Sequence, residues 1–227
     1  MKTRYWFREV LRESGCESAE QLTQACKVAG GLIDLYKIRW ERYVDGGQVV
    51  QPKTLREVEN HFPNTSIFYH VGPHMGLPLW KILEGDIDIC KKHINEVLFV
   101  NFNIDIRNII WEQKAVSLLK LFLPTNYWEQ LGKPLLANEN LVAMAFEDQD
   151  NPTAEHVNFS GSSISAVFAM YHIGKLTESD KIQLIVDYLL EGLKQKAIVS
   201  EFDDFLGNEV LAYVDKHMPI MKKPYLD

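Results

Sequence analysis

Apolar positions recur along most of this chain at the spacing of amphipathic helices rather than with the alternation of strands. Tyr5, Trp6, Val10 and Leu11 share one face, with Arg4, Arg8 and Arg12 on others, and the pattern stops near Ser14–Gly15. Ser18 followed by Gln21 has the form of a capping box, in which two side chains satisfy reciprocal orphan amides. It predicts a short helix from Ala19 to Lys27 that turns Leu22, Ala25 and Cys26 inward and breaks at Gly30–Gly31. A third helix is expected over Leu32 to Val44, with Ile33, Tyr36, Trp40 and Tyr43 or Val44 in one stripe. Gly46–Gly47 stops it, Pro52 turns the chain, and a fourth helix restarts at Lys53 or Thr54.

Beyond His61 the pattern loosens into a stretch rich in proline and glycine. Ser66–Val71 reads as a short strand or extended connector, and Leu77, Leu79 and Trp80 as an anchor that folds this connector back on a core. From residue 86 onward the helical pattern returns. Ile87, Ile89, Cys90 and Ile94 begin one stripe, and Ile104 to Leu123 form another that Pro124 ends. Tyr127–Leu131 and Glu139–Phe146 are shorter candidates, followed by a polar loop over Glu147–Gly161. Ser162–Ile173 and Glu178–Leu193 read as two packed helices split at Gly174, and Phe202–His217 as a last one. The expected fold is therefore mainly α. Its expected division is a head at 1–62, a Pro/Gly-rich connector at 63–85 and a larger helical domain at 86–227, which carries dimerisation or interaction.

The 227 residues suffice for a full hydrophobic core, and 46% hydrophobic with 24% charged residues is an ordinary globular composition. The net charge of −7 is unevenly spread. Residues 1–57 hold ten Lys/Arg against eight Asp/Glu, and residues 58–227 hold 14 against 23. A mildly basic head before an acidic body suits a DNA-reading module whose second domain avoids DNA.

The head also resembles a known family. Trp40-Glu41-Arg42 near the end of one helix, a Gly-containing turn, Pro52 and a Leu-containing next helix are similar to the lambda-repressor-like (Xre-type) helix-turn-helix proteins, over residues 18–60. The resemblance implies double-stranded DNA as the partner and a homodimer on a two-fold site, with paired helices about one DNA turn apart. Mapped onto that topology, Lys37 reaches a base edge, while Arg39, Arg42 and Lys53 grip the phosphate backbone. Arg42 is the most direct carry-over, because it lies within the matching Trp-Glu-Arg. The segment from Ser18 to Trp40 is longer than the family's pattern, and Asp34 stands where a base-reading polar or basic residue is common.

Signatures of other chemistry are weak. His70-x3-His74 and Cys90-x2-His93 contain zinc-ligand types, but the first pair straddles Gly72–Pro73 and no Cys-x2-Cys knuckle accompanies them. Ser160-Gly161-Ser162-Ser163 lacks the Gly-x-Ser-x-Gly pattern of a nucleophile elbow and reads as a helix cap or polar loop. Glu155–His156 has no partner placed beside it, and Asp86-x-Asp88 and Glu201–Asp204 lack a metal-loop pattern. Three cysteines without framework spacing suggest reduced thiols, and no run approaches a transmembrane length.

The expectation is thus a cytoplasmic, non-enzymatic, sequence-specific DNA-binding protein, a transcriptional regulator of Xre-like type that needs no cofactor and no metal. Two rivals stand beside it. One is a protein-interaction adaptor on the same scaffold, favoured by Asp34 and the acidic body. The other is a ligand sensor or enzyme with its pocket in the carboxyl-terminal bundle.

Overall fold

The structure, a computed structural model, describes residues 1–28, 35, 38–73, 77–102, 108–122, 160–196, 198 and 202–220. Among these the protein is mainly helical, with eleven α-helices and no strand. It divides into two compact units, Met1–Trp80 and Lys81–Asp227.

The first unit opens with α1 (Lys2–Ser14), which buries Tyr5, Trp6, Phe7 and Val10. Its end is a left-handed Gly15 (φ 68°), and the Cys16 amide donates back to Leu11 O at 3.0 Å. In α2 (Ala19–Val28) the Ser18 hydroxyl accepts from the Gln21 amide at 3.1 Å. The Gln21 side-chain Oε1 accepts from the Glu17 amide at 2.8 Å, one residue before the position a capping box requires.

The third helix differs from its expectation. Lys37, Asp34 and Tyr36 lie outside the described residues, but Leu35 is in a 3-10 turn, Ile38–Trp40 form a bend and a turn, and the α-helical part of the described segment is α3 (Glu41–Val44). Amide-to-carbonyl bonds three residues apart mark this segment: Ile38 to Leu35, Arg42 to Arg39 and Tyr43 to Trp40. The reason lies in the core. Leu35 and Trp40 are both fully buried, yet five residues of continuous helix would set them about 140° apart. Breaking the helix between them lets both face inward, and Trp40 and Tyr43 then share a face three residues apart.

Past α3 the chain turns at Gly46, where φ is 68° and an added Cβ would meet Arg4 Cγ at 2.5 Å. Helix α4 (Pro52–His61) starts at Pro52 itself, with Gln51 as its N-cap, and buries Leu55 and Val58. The run read as a strand or connector is helix α5 (Thr65–His70). Glu59 satisfies orphan donors at the amino end of this helix: the carboxylate accepts from the amides of Asn64 at 2.6 Å and Ser66 at 2.7 Å. Burial pushes the Glu59 carboxyl up, but the Ser66 and Asn64 amides outweigh it and hold it below its ordinary range. Tyr69 of α5 meets Trp6 edge-to-face at 6.2 Å. Leu77, Leu79 and Trp80 are buried, and the Trp80 indole donates to Phe68 O at 2.7 Å. The residues read as a connector thus contribute α5 and this anchor to the first unit, which runs to Trp80.

The second unit takes in the rest of α6 (Leu79–Glu84), then α7 (Ile87–Phe102) and α8 (Trp111–Phe122). It continues with α9 (Gly161–Thr177), α10 (Asp180–Lys196) and α11 (Asp203–His217). Helix α8 is shorter than the stripe expected from Ile104, because Asn108–Ile110 are a turn and bend. The candidates at 127–131 and 139–146 and most of the polar loop lie outside the described residues. Helix α9 is central, buried nearly all round from Ser163 to Tyr171, as expected of a helix apolar on every side. It continues through Gly174 to Thr177 rather than ending at Ile173. Gly174 lets α10 approach closely, since an added Cβ would meet Ile182 Cγ2 at 2.9 Å.

Candidate nucleic-acid interface

Trp40 and Tyr43 point into the core of the first unit, and this orients their neighbours. Arg39 and Arg42, three residues apart, are exposed. Lys53, exposed in the first turn of α4, stands near helix amides that carry partial positive charge. These three cations line one open groove of about 600 Å³ between the α3 segment and α4. Uncharged polar side chains complete it: Gln48, Gln51 and Thr54. So does one carboxylate, Glu57, whose Oε1 lies 3.7 Å from Lys53 Nζ.

Of the four site residues expected from sequence, the structure thus gathers Arg39, Arg42 and Lys53. Lys37 lies outside the described residues. Sequence reasoning missed Gln48, Gln51, Thr54 and Glu57. The signal was faint: the Gly-Gly-Gln-Val-Val-Gln-Pro run was read as punctuation, and only the burial of Val50 shows which side chains the turn leaves outside.

The second unit holds a Ser–His pair. His93 Nε2 lies 2.9 Å from Ser165 Oγ and 3.0 Å from Ser162 O. Ser165 is fully buried, and its hydroxyl donates within its own helix, to Gly161 O at 2.8 Å and Ser162 O at 2.9 Å. A nucleophile needs room for an acyl group, and this serine has none. Desolvation by burial pushes the His93 pKa down, against the opposing Ser162 hydrogen bond and Glu96 charge. Neutral His93 is therefore a tie between α7 and α9. Ser160 and Ser163 cap α9 reciprocally, at 3.1 and 3.0 Å. Cys90, three residues before His93, faces Ile82 O instead, and burial pushes its thiol up to about 12. Among the described residues no three His, Cys, Asp or Glu converge as a metal site, and no helix is long and apolar enough to cross a membrane.

No family model, no curated protein and no solved structure matches this chain. The helix-turn-helix resemblance accordingly rests on the residues that carry it, and the functional reading on the groove.

Proposed function

We propose that the first unit binds double-stranded DNA sequence-specifically and that the protein is a transcriptional regulator acting as a homodimer. The observation that supports this most directly is the convergence of Arg39, Arg42 and Lys53 on one open groove. Guanidinium and ammonium groups on one exposed surface suit a row of phosphates, which supply most of the affinity of such complexes. In this reading Lys37 meets a base edge and the acidic second unit stays clear of DNA.

Electrophoretic titration of the full-length chain against genomic DNA fragments, at several salt concentrations, tests the proposal. Retarded complexes whose affinity falls steeply with salt are expected. Absence of any salt-dependent retardation overturns it.

One observation favours a second reading. Glu57 puts a carboxylate among the cations, and a mixed-charge groove also suits the surface of a protein partner. In that case the scaffold is an adaptor, and DNA fails to compete with the partner for the groove.

A further inference from the structure

We propose that the turn leading into α4, Gln48-Val49-Val50-Gln51, reads base edges, with the Gln48 and Gln51 amides on adenines and Val49 against a thymine methyl. The preferred DNA then carries A·T pairs where this turn meets the major groove. The inference rests on the DNA-binding reading above and adds to it a source of sequence discrimination within the groove.

The cations assigned to phosphates carry no base identity. Besides them the groove is lined by Ile38, Tyr43, Thr54, Glu57 and two side-chain amides, Gln48 and Gln51, and of these the amides are the groups that can pair a donor and an acceptor with one base edge. An amide presents one donor and one acceptor side by side, the complement of adenine N6 and N7 in the major groove. Guanine presents two acceptors there and cytosine a lone donor, so neither makes the same pair of bonds.

The turn is built to present these groups. Val50 is 2% exposed, held in the core of the first unit with Trp40, Tyr43 and Leu55. Pro52 fixes the chain on the other side of Gln51, whose backbone is extended at φ −72° and ψ 143°. The segment is therefore pinned on both sides of Gln51, and its side chains are presented from a fixed backbone.

Two features of it make poor sense for stability alone. Gln51 occupies the N-cap of α4 without a side-chain bond to the helix amides, at a position where Ser, Thr, Asp or Asn would cap. Val49, which lies in sequence between the groove residues Gln48 and Gln51, is 68% exposed. A weak cap and an exposed valine are what a reading surface requires: an uncommitted amide and an apolar contact for a methyl group.

The test uses the full-length chain and duplexes carrying a randomised stretch, with bound DNA sequenced over successive rounds of enrichment. Wild type should enrich a motif containing A·T pairs. A Gln48→Ala/Gln51→Ala double variant should lose about thirty-fold or more in affinity for that motif relative to scrambled duplex, since two bidentate pairs are removed. The slope of log K against log salt should stay unchanged, because no cation is touched. Gln48→Met/Gln51→Met keeps side-chain length and removes only the amides, so it decides the matter should the alanine variant unfold. Replacing the motif's thymines by uracil deletes the methyl groups and should weaken wild type but not Val49→Ser.

An undiminished preference in the glutamine variants, a motif of G·C pairs alone, or indifference of wild type to uracil each overturns the inference while leaving DNA binding in place. A wild type that retains no DNA at any salt concentration removes the underlying reading, and the inference with it.

Discussion

The Trp40 indole lies 6.4 Å from that of Trp6, the planes inclined by 30°, and 6.0 Å from the Phe7 ring at 24°. One side chain from the α3 segment thus covers two consecutive aromatics of α1. Tyr43 and Tyr69 close the cluster, meeting Trp6 edge-to-face at 5.5 and 6.2 Å. The same contact fixes the segment that carries Arg39 and Arg42, which ties core packing to the groove.

Trp40→Ala should therefore unfold the first unit, at a cost of about 3–5 kcal/mol for a buried aromatic cut to alanine. Trp40→Phe should cost much less, because it keeps a ring and removes a buried indole N–H that has no partner among the described residues. Denaturant unfolding of the full chain, followed by near-ultraviolet circular dichroism, measures both. Equal midpoints for wild type and Trp40→Ala would mean that the indole holds nothing.

Arg42→Ala and Lys53→Ala should leave the fold intact and weaken DNA binding on all sequences alike. Each lost phosphate contact should reduce the slope of log K against log salt by about 0.9. Lys37→Ala should instead lower specific affinity more than non-specific affinity. Isotherms on specific and scrambled duplexes at several salt concentrations check all three.

Glu57→Gln should strengthen DNA binding rather than weaken it. The substitution removes a negative charge from the groove and releases Lys53 from its ion pair at 3.7 Å. The gain should be largest at low salt and fade as screening shortens the reach of the charge. Stability should change by less than about 1 kcal/mol, as is usual for an exposed i, i+4 pair. Unchanged or weaker DNA affinity would mean that Glu57 does not compete with phosphates.

Stability of the second unit should fall as pH drops below about 6.5, the ordinary imidazole value. Burial depresses the folded pKa of His93 and His172 alike, and Lys175 depresses His172 further. The unfolded chain then takes up protons first, so stability is full above the unfolded pKa and declines until the folded values are passed. Glu59, also depressed, adds a loss at lower pH in the first unit, as pH falls through the carboxylate range. Thermal melts from about pH 7.5 to 5 should show the first decline, and His93→Gln should flatten it.

Gly174→Ala sets two effects against each other. Alanine favours a helix over glycine by about 1 kcal/mol. The new methyl would lie 2.9 Å from Ile182 Cγ2, and overpacking of this kind costs about 1–3 kcal/mol. The clash should win, because Ile182 is β-branched and fully buried and has little room to move. A lower melting temperature is expected, and a higher one would show that α9 and α10 can part without loss.

The sequence by itself determined that the protein is helical, because stripes such as Tyr5–Trp6–Val10 bury one face whatever packs on it. It also determined that the first helix ends near Gly15 and that a fourth follows Pro52 within a residue or two, since these depend only on nearby backbone, whereas the Ser160 run was open between a polar loop and the cap of α9 that it forms. Tertiary structure decided the rest. Leu35 and Trp40 both reach the core only if the expected third helix breaks between them. Ser66–Val71 looks like a strand or connector by its local pattern, and it is a helix whose start is held by the Glu59 carboxylate, which accepts from the Asn64 N-cap amide and the Ser66 amide. The groove was half legible. Its cations could be named through the helix-turn-helix resemblance, but Gln48, Gln51 and Glu57 join them only once Val50 and Trp40 are anchored in one core, and no local pattern records that convergence.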